Sequence, residues 1–347
     1  MKDTMKTAVM TGIREIAFAE RPIPKNTETE VLVKLEYIGI CGSDLHYYEA
    51  GRIGNFVVEP PFVLGHEAAG EVIEVGSKVT HLKVGDKVAL EPGKTCGKCE
   101  FCKSGKYNLC KDVIFFATPP VDGVFQEYVA HDADLCFKLP EHVSTLEGAL
   151  IEPLAVGFHA VNQGEAQIGQ TAVVYGAGCI GLVSLLALKA KGVDKVYVVD
   201  VVEKRLKKAL ELGAAGIING MKEDVPTKIM ELTKGQGADL QIETAGSEVT
   251  ASCAIHSGKK GSVIVLVGYS ASGEMTLPVG MVLDKELTLK SVFRYRHIYP
   301  MAIEAVANGK VNIKSIITNE FSLDQIEEAM ETCISDKQNV VKAVIKV

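Results

Sequence analysis

The chain has 347 residues, more than the roughly 250–300 residues over which one hydrophobic core usually grows, so the sequence predicts two domains. A hydrophobic fraction of 47% and a charged fraction of 23% are typical of a globular protein and exclude a disordered or fibrous chain. The formal net charge of -7 argues against a nucleic-acid-binding protein and leaves small ligands and nucleotides open.

The N-terminal residues lack the apolar core of a signal peptide, and the nine cysteines are an odd number. Neither feature is typical of a secreted protein with a disulfide framework. We therefore expect a cytoplasmic protein that neither binds nucleic acid nor spans a membrane.

The first part of the chain is predicted to be mostly β structure. Between about Lys6 and Pro140, short β-like runs are separated by Gly, Pro and Asp; they include EVLVKLEYIGI, GEVIEVGSKV, GDKVALEPG and FQEYVA. This pattern predicts an irregular barrel.

Four residues before position 155 are candidates for an open metal site: Cys41, His66, Glu67 and Glu152. Each alone is more often a core or surface residue, and only the set is informative. Zinc bound by a thiolate, an imidazole and a carboxylate keeps a fourth position for an alcohol oxygen, lowers its pKa and stabilises the alkoxide from which hydride leaves. The residues alone do not decide which glutamate coordinates.

Two residues close to Cys41 are candidates for moving the proton that such a reaction releases. Ser43 lies two residues after Cys41, and His46 lies on the same turn, so a hydroxyl and an imidazole are available to pass a proton outward. The alternative role of these side chains is local hydrogen bonding within the turn.

A second metal site is predicted in the loop EPGKTCGKCEFCKSGKYNLC, which contains Cys96, Cys99, Cys102 and Cys110. Four soft ligands in such a short segment suit tetrahedral zinc with no free position, which is a structural rather than a catalytic site. Local disulfides are the alternative, but this spacing rarely gives two unstrained bridges. We expect the zinc to fix the loop.

The segment from Ala166 to Leu188 has no charged residue and is long enough to cross a bilayer. Its glycines stand where a strand would turn into a helix, so we predict a buried strand, turn and helix instead. Within it, Gly176, Gly178 and Gly181 form GxGxxG directly after the strand AVVY. In a dinucleotide site these glycines allow the tight turn, the approach of the pyrophosphate and the close packing of the helix, whose N-terminus favours phosphate.

The nucleotide preference is predicted from Asp200, which ends the next strand 19 residues after Gly181. A carboxylate at this place accepts hydrogen bonds from the adenosine ribose and repels a 2′-phosphate, which favours NAD over NADP. Arg205, in the following helix, is suited to cover the adenosine side. The alternatives are a packing turn with an unrelated Asp, or a methyl-donor cofactor.

Six strand-like runs follow from about residue 170: TAVVYGAG, KVYVVD, GIING, ADLQIETAG, GSVIVLVG and ELTLKSV. The segments between them include predicted helices ending near 191 and around 204–212 and 227–233, and a further segment around 249–257. This alternation is typical of a doubly wound parallel sheet. Helices around 300–307 and 323–333 and a last strand, VVKAVIKV, are assigned to the first domain.

These residues resemble the zinc-dependent medium-chain alcohol dehydrogenase family, and within it the sorbitol and xylitol dehydrogenase branch. The most specific stretches are GICGSDLHYYEAGRIGNF, PFVLGHEAAGEVIEVGS, FFATPPVDG, ALIEPLAVGFHA and VFRYRHIYP. The resemblance implies a catalytic GroES-like domain of residues 1–153 and 292–347, a Rossmann α/β domain of residues 154–291, and a homo-oligomer that is a dimer or tetramer.

The resemblance also implies site residues. Zinc would be held by Cys41, His66 and Glu67 with a water, and Glu152 would lie close as an alternative ligand or act through that water. Contacts to polyol hydroxyls are implied for Tyr47, Glu152, Arg294 and Tyr295. NAD would be held by Gly176, Gly178, Ile180, Gly181, Asp200 and Arg205, with its nicotinamide end near Val267, Gly268, Tyr269, Val292, Phe293 and Arg294.

The implied reaction is the oxidation of a secondary hydroxyl of sorbitol, xylitol or L-iditol to the ketose, with hydride transferred to NAD. A 2,3-butanediol or threonine dehydrogenase of the same family is the nearest alternative. A non-catalytic NAD-binding protein is the alternative from another class. The joint presence of Cys41, His66 and Glu67 with Ser43 and His46 argues against it.

Overall fold

The computed structural model describes residues 3–270 and 273–347. This part of the chain divides into two compact units. The first contains the described residues up to Glu152 together with Tyr299–Ala307 and Ile317–Val347; the second contains Pro153–Ile298 and Asn308–Ile316.

The strands are β1 (Thr4–Gly12), β2 (Glu15–Pro22), β3 (Glu30–Gly39), β4 (Arg52–Ile53), β5 (Phe56–Val57), β6 (Glu67–Val75), β7 (Lys87–Leu90), β8 (Gly93–Lys94), β9 (Ile114–Phe115), β10 (Tyr128–Asp132), β11 (Cys136–Lys138), β12 (Thr171–Tyr175), β13 (Lys195–Asp200), β14 (Gly216–Asn219), β15 (Ala238–Glu243), β16 (Gly258–Leu266), β17 (Thr288–Ser291), β18 (Asn319–Ser322) and β19 (Ala343–Lys346).

The helices are α1 (Gly42–Ala50), α2 (Glu100–Lys103), α3 (Thr145–Ala149), α4 (Ile151–Gln163), α5 (Cys179–Ala190), α6 (Glu203–Glu211), α7 (Val225–Leu232), α8 (Glu248–Ser257), α9 (Val279–Asp284), α10 (Tyr299–Ala307) and α11 (Ile326–Ser335). Short 3₁₀ turns cover Tyr107–Leu109, Ala133–Leu135, Ile313–Ile316 and Leu323–Gln325.

The first unit is built on a sheet with strand order β11-β7-β6-β3-β19-β18, and β10 also pairs with β3. Most apolar residues of β3 are almost fully buried, among them Val31, Leu32, Val33, Leu35 and Ile38. β10 lies against the first half of β3, and β19 lies against its end. One long strand therefore organises the core and receives the C-terminal strand.

The second unit is a six-stranded parallel sheet with the order β14-β13-β12-β15-β16-β17. Every neighbouring pair in it is parallel. The order reverses between β12 and β15, which makes the sheet doubly wound. The predicted fold class is confirmed, and all six predicted strands are present.

The uncharged segment folds as predicted into a strand, a turn and a helix, because β12 leads directly into α5. Its buried side chains pack inside the second unit; Leu182, Val183, Leu185 and Leu188 are each fully buried. Among the described residues, no helix combines the length and the apolar character that a membrane crossing requires.

Two short segments lie in a different unit from the one we expected. Residues 292–298 and 308–316, assigned from the resemblance to the catalytic domain, belong to the second unit. Val292 donates its N–H to the carbonyl of Leu266 at 2.9 Å, so the chain stays attached to the sheet beyond β17. The turn Ile313–Ile316 contacts α5 in the same unit.

The closure of the first sheet by the C-terminal strand gives a testable expectation. Ile345 is fully buried and lies opposite Ile38, so Ile345→Ala should lower the free energy of unfolding of the first unit by about 2–4 kcal/mol through lost burial and a residual cavity. Calorimetric unfolding measures this. Ile13→Ala, at a side chain 60% exposed, is the control; equal effects of the two changes would contradict a core role for β19.

Candidate active site and dinucleotide site

Three of the predicted ligands come together where β3 ends and β6 begins. Cys41 Sγ, a ring nitrogen of His66 and a carboxylate oxygen of Glu67 lie within 4.8 Å of one another. Gly39 at the end of β3 is the ladder partner of Glu67. The antiparallel register therefore brings the chain segments of these ligands to one place, which we call the open cluster.

A fully buried carboxylate, Asp44, holds the open cluster together. Its Oδ2 accepts the N–H of Cys41 at 2.9 Å, as the N3 residue of α1 reaching back to the helix N-cap. Its Oδ1 accepts the N–H of Gly65 at 2.9 Å and lies 3.6 Å from His66 Nδ1. One side chain thus connects the segments that carry Cys41 and His66.

The environment of His66 is both buried and negatively charged. Burial alone would lower the pKa of the imidazole, but the charges of Asp44 and Cys41 and their hydrogen bonds raise it well above its usual range. A metal ion at this site competes with that proton for the ring. The ring of Phe115 covers the imidazole, with 5.8 Å between the ring centroids.

The donor set of the open cluster fits zinc. Zinc takes sulfur at about 2.3 Å and nitrogen or oxygen at about 2.0–2.2 Å, so ligand atoms of one ion lie within about 4 Å of each other. The three donor atoms already lie near this spacing. Three protein ligands leave a tetrahedral ion with one position for another oxygen, which is the arrangement of catalytic rather than structural sites.

Glu67 is also paired with a buried lysine. The carboxylate Oε2 of Glu67 forms an ion pair with Lys342 Nζ, and both side chains are at most 2% exposed. Lys342 also donates to the carbonyl of Ile40 at 2.9 Å. A Cβ on Gly39 would lie 1.9 Å from Glu67 Oε2, so a glycine is needed there.

Glu152 opens α4 and is buried, but the ligand cluster contains Glu67 and not Glu152 among the described residues. Another buried carboxylate, Glu91, interacts with it. The pKa of Glu91 is raised to about 7, mainly by burial. The hydrogen bond from Tyr107 lowers this pKa, whereas the charge of Glu152 raises it. The Tyr107 hydroxyl donates to Glu91 Oε1 at 2.8 Å.

The other predicted residues of the first unit lie on α1, directly after Cys41. Ser43 is half-buried, His46 is exposed and Tyr47 is 4% exposed. Ser43 and His46 are three positions apart and therefore share one side of the helix. On that side, Ser43 is the less exposed and His46 the more exposed of the two polar side chains.

The four loop cysteines form a second, closed cluster. Their sulfur atoms all lie within 4.8 Å of one another, with Cys99 and Cys102 sulfurs 3.5 Å apart and Cys96 and Cys102 sulfurs 4.0 Å apart. Disulfide bonds need about 2.05 Å, whereas a tetrahedron around zinc has sulfur edges of about 3.8 Å. Backbone N–H groups pointing at Cys96 lower its pKa to about 6, which favours the thiolate. The cluster fits structural zinc.

The glycine turn of the second unit has the predicted geometry. Gly176 adopts φ 95°, which favours glycine, and a Cβ on Gly181 would lie 1.8 Å from the carbonyl oxygen of Gly176. A Cβ on Gly178 would meet no atom within 4 Å and would point into open space. The first and third glycines are therefore required by the fold, whereas the second leaves room for a ligand at the N-terminus of α5.

Asp200 lies at the carboxyl end of β13, beside this turn. Its Oδ2 accepts the N–H of Ala177 at 2.6 Å, and its Oδ1 accepts the N–H groups of Val201 and Val202 at 2.8 Å. The carboxylate is thus fixed in place at the rim of a cavity of about 480 Å³. Other residues that line this cavity include Gly176, Met221, Val225, Ala245 and Val249.

The remaining predicted cofactor residues follow strands of the same sheet. Ile180 and Arg205 lie in the first turns of α5 and α6. Val267 and Gly268 follow β16 and donate to the carbonyl of Glu243 at 2.8 and 3.0 Å, and 73%-exposed Tyr269 comes next. Because the sheet is parallel, its carboxyl ends share one edge.

The residues after β17 lie at this edge as well. Val292 continues from the strand, Phe293 is 53% exposed, and the Arg294 guanidinium carbon lies 4.9 Å from the Phe293 ring centroid. Arg294 has φ 55°, a conformation that non-glycine residues rarely adopt and that concentrates at functional sites. Tyr295 is buried.

Sequence reasoning missed Asp44, Lys342, Glu91 and Phe115. A signal existed for Asp44, because an acidic residue three positions after a helix N-cap is a known pattern. A lysine inside the apolar run VVKAVIKV was a weaker signal for a buried ion pair. Glu91 and Phe115 contact residues that are distant in the sequence, so no local sequence pattern predicts these contacts.

The buried ion pair leads to a prediction about stability. Lys342→Met removes the counter-charge and leaves the Glu67 carboxylate buried and unpaired, so without metal the free energy of unfolding should fall by about 3–5 kcal/mol. Added zinc should then stabilise the variant more than it stabilises the unmodified protein, because the metal supplies the missing positive charge. Denaturant unfolding with chelator and with zinc measures both effects. Exposed Lys346→Met is the control, and equal losses would contradict the argument.

The glycine geometry separates a binding role from a folding role. Gly178→Ala should leave the melting temperature unchanged and weaken NADH binding at least tenfold, because its methyl group occupies ligand space. Gly181→Ala should lower the melting temperature, because its methyl group collides with the backbone. Thermal unfolding and NADH fluorescence titration distinguish them. Normal NADH binding by the Gly178 variant would show that no pyrophosphate approaches this turn.

Comparison with known proteins agrees with this geometry. Residues 27–141 match the family described as alcohol dehydrogenase GroES-like domain, and residues 179–308 match the family described as zinc-binding dehydrogenase. The sorbitol dehydrogenase of Bacillus subtilis is 45% identical over 341 residues, which cover 98% of this chain and 97% of that protein.

Solved structures show the same similarity. A short chain alcohol dehydrogenase from Escherichia coli CFT073, complexed with cofactor NADH, superimposes with a TM-score of 0.93 at 30% identity over 100% of both chains. The 2R,3R-butanediol dehydrogenase of Bacillus subtilis has a TM-score of 0.91 at 34% identity over 99% of both chains. Both clusters and the glycine turn fit the predicted cofactors, zinc and NAD. The chain belongs to the zinc-dependent medium-chain dehydrogenase family.

Proposed function

We propose that this chain is an NAD-dependent zinc dehydrogenase that oxidises a secondary hydroxyl of a polyol such as sorbitol, xylitol or L-iditol to the ketose. The observation that carries the proposal is the open cluster of Cys41, His66 and Glu67, which offers three unlike ligands to one ion. The polyol assignment is supported by the 45% identity to a sorbitol dehydrogenase, against 34% to a butanediol dehydrogenase.

The open cluster would hold zinc through Cys41, His66 and Glu67, with Glu67 rather than Glu152 as the carboxylate ligand. Bound zinc supplies a Lewis acid that lowers the pKa of a substrate hydroxyl. Asp44 orients the imidazole of His66 from its Nδ1 side. Ser43 and His46 pass the released proton along α1 toward solvent.

A polyhydroxy substrate needs several hydrogen-bonding partners. We assign this role to Tyr47, Glu152, Arg294 and Tyr295. Buried polar groups that a substrate hydroxyl satisfies discriminate strongly against analogues lacking that hydroxyl. The left-handed backbone at Arg294 supports its assignment.

The second unit would bind NAD along the carboxyl edge of its sheet. Gly176, Gly178, Ile180 and Gly181 receive the pyrophosphate at the N-terminus of α5. Asp200, held by backbone N–H groups, accepts the ribose hydroxyls and repels a 2′-phosphate, with Arg205 on the adenosine side. The nicotinamide end is assigned to Val267, Gly268, Tyr269, Val292, Phe293 and Arg294.

We further propose a cytoplasmic homo-oligomer, either a dimer or a tetramer. A reducing compartment is supported by nine cysteines without a disulfide among the described residues. Association is supported by β17, which among the described residues pairs with β16 only and carries the exposed Leu289.

A substrate panel with metal analysis tests the function. NADH formation should be highest with sorbitol, xylitol or L-iditol, and a higher kcat/KM for threonine or 2,3-butanediol would defeat the polyol assignment. Metal content measured on the same sample should be two zinc ions per chain, one for each cluster.

Two cysteine variants test the division of roles between the clusters. Cys41→Ser should abolish turnover and remove one zinc while leaving the fold intact, because the closed cluster is unchanged. Cys99→Ser should mainly lower the melting temperature. Turnover by the Cys41 variant without its zinc would refute the mechanism.

A further inference from the structure

The closed cluster lies in a segment that is tied to the rest of the first unit at both of its ends. We call residues 95–113 the cysteine lobe. It is closed at its base by the antiparallel pair β8 and β9, in which Gly93 lies opposite Phe115. The lobe therefore leaves and rejoins the unit at one place, and the base strand β9 contacts His66 of the open cluster through Phe115.

The first link runs through Phe115, the last residue of β9. Its ring packs on the imidazole of His66 with 5.8 Å between ring centroids and 52° between ring planes. A Cβ on Gly93 would lie 3.0 Å from the Phe115 ring, so the opposite base strand leaves little room for that ring to move. The base of the lobe thus restricts the ring plane of a metal ligand.

The second link runs through Tyr107, which lies inside the lobe in the 3₁₀ turn before Cys110. Its hydroxyl donates to Glu91 Oε1 at 2.8 Å, and the backbone carbonyl of Glu91 is hydrogen-bonded to His131 Nε2 at 2.8 Å. Glu91 is 4% exposed and interacts electrostatically with Glu152, which is 6% exposed. The hydrogen bond from Tyr107 therefore fixes one of two buried carboxyl groups that act on each other electrostatically.

We propose that the cysteine lobe and its base strands position the reacting centre: Tyr107 fixes Glu91, a buried carboxyl group that acts electrostatically on Glu152, and Phe115 packs against the imidazole of His66 and holds its ring plane. Tyr107 and Glu91 are positioning residues, because they act through Glu152. The closed cluster then contributes to turnover in addition to stabilising its loop. This inference rests on the proposed function for its kinetic part, whereas the geometry at the open cluster is measurable without substrate.

A purely structural lobe does not need these links. Four thiolates around one ion are sufficient to fix the loop. A Tyr107 hydroxyl without a positioning role could hydrogen-bond to water instead of to a protein group. Instead, the hydroxyl donates a hydrogen bond to the buried carboxyl group of Glu91. Leaving such a buried group without a hydrogen-bond partner lowers the stability of the folded protein. These two contacts therefore connect the lobe and its base to Glu91 and to His66.

The test uses Tyr107→Phe in the full-length zinc protein, because this change removes one oxygen and keeps the ring. We expect two zinc ions per chain, kcat for a polyol lowered about tenfold, and KM changed less than about threefold, as for partners that orient a reacting group. Tyr128→Phe, a half-buried tyrosine of β10, is the matched control and should match the unmodified protein. Unchanged kcat in the Tyr107 variant would overturn the proposal.

Cadmium NMR of the metal-exchanged protein gives the readout that is independent of substrate. A four-thiolate site and a site with a single thiolate give separate resonances. Phe115→Leu changes no cysteine, yet it should shift the resonance of the open cluster and leave that of the closed cluster in place. The proposal is overturned if only the closed-cluster resonance shifts, or if neither resonance shifts. Failure on the polyol panel with a shifted open-cluster resonance would refute the proposed substrate and leave the coupling supported.

Discussion

Asp44 connects the two chain segments that carry Cys41 and His66 of the open cluster. This carboxylate is fully buried, and it accepts backbone N–H groups from Cys41 and Gly65 while facing His66. Hydrogen bonds to a buried carboxylate are strong because water does not compete with them. The segments that deliver the thiolate and the imidazole are therefore fixed before a metal arrives, and the site is preorganised by one side chain that binds neither metal nor substrate.

The two clusters are assembled in physically different ways. The closed cluster draws its four sulfurs from one loop, so short-range geometry is sufficient to form it. The open cluster draws Cys41 from a helix N-cap and Glu67 from a strand start, and it forms only when β3 and β6 pair in register. A shift of that ladder by one residue would place Glu67 on the opposite face of the sheet.

This difference explains what the sequence could predict. The glycine turn, Asp200 and the loop cysteines are local patterns with strict steric or ligand requirements, and the structure has them in the expected geometry. The parallel sheet followed from the regular alternation of strands and helices. The contacts of Lys342 and Phe115 depend on pairing across the chain, which periodicity does not specify. Residues 292–298 follow β17 and belong to the second compact unit, whereas the resemblance groups them with the catalytic domain.

The charges around the open cluster give a last reason why it suits a divalent cation. Asp44, Glu67 and a metal-bound thiolate of Cys41 carry three negative charges in a place with little water. Lys342 supplies one positive charge from the residue before β19. Two negative charges remain, and buried charges without counter-charges are strongly disfavoured. A doubly charged ion held by Cys41, neutral His66 and Glu67 would complete the balance, so the segment that leads into the C-terminal strand contributes to the electrostatics of the site as well as to the sheet.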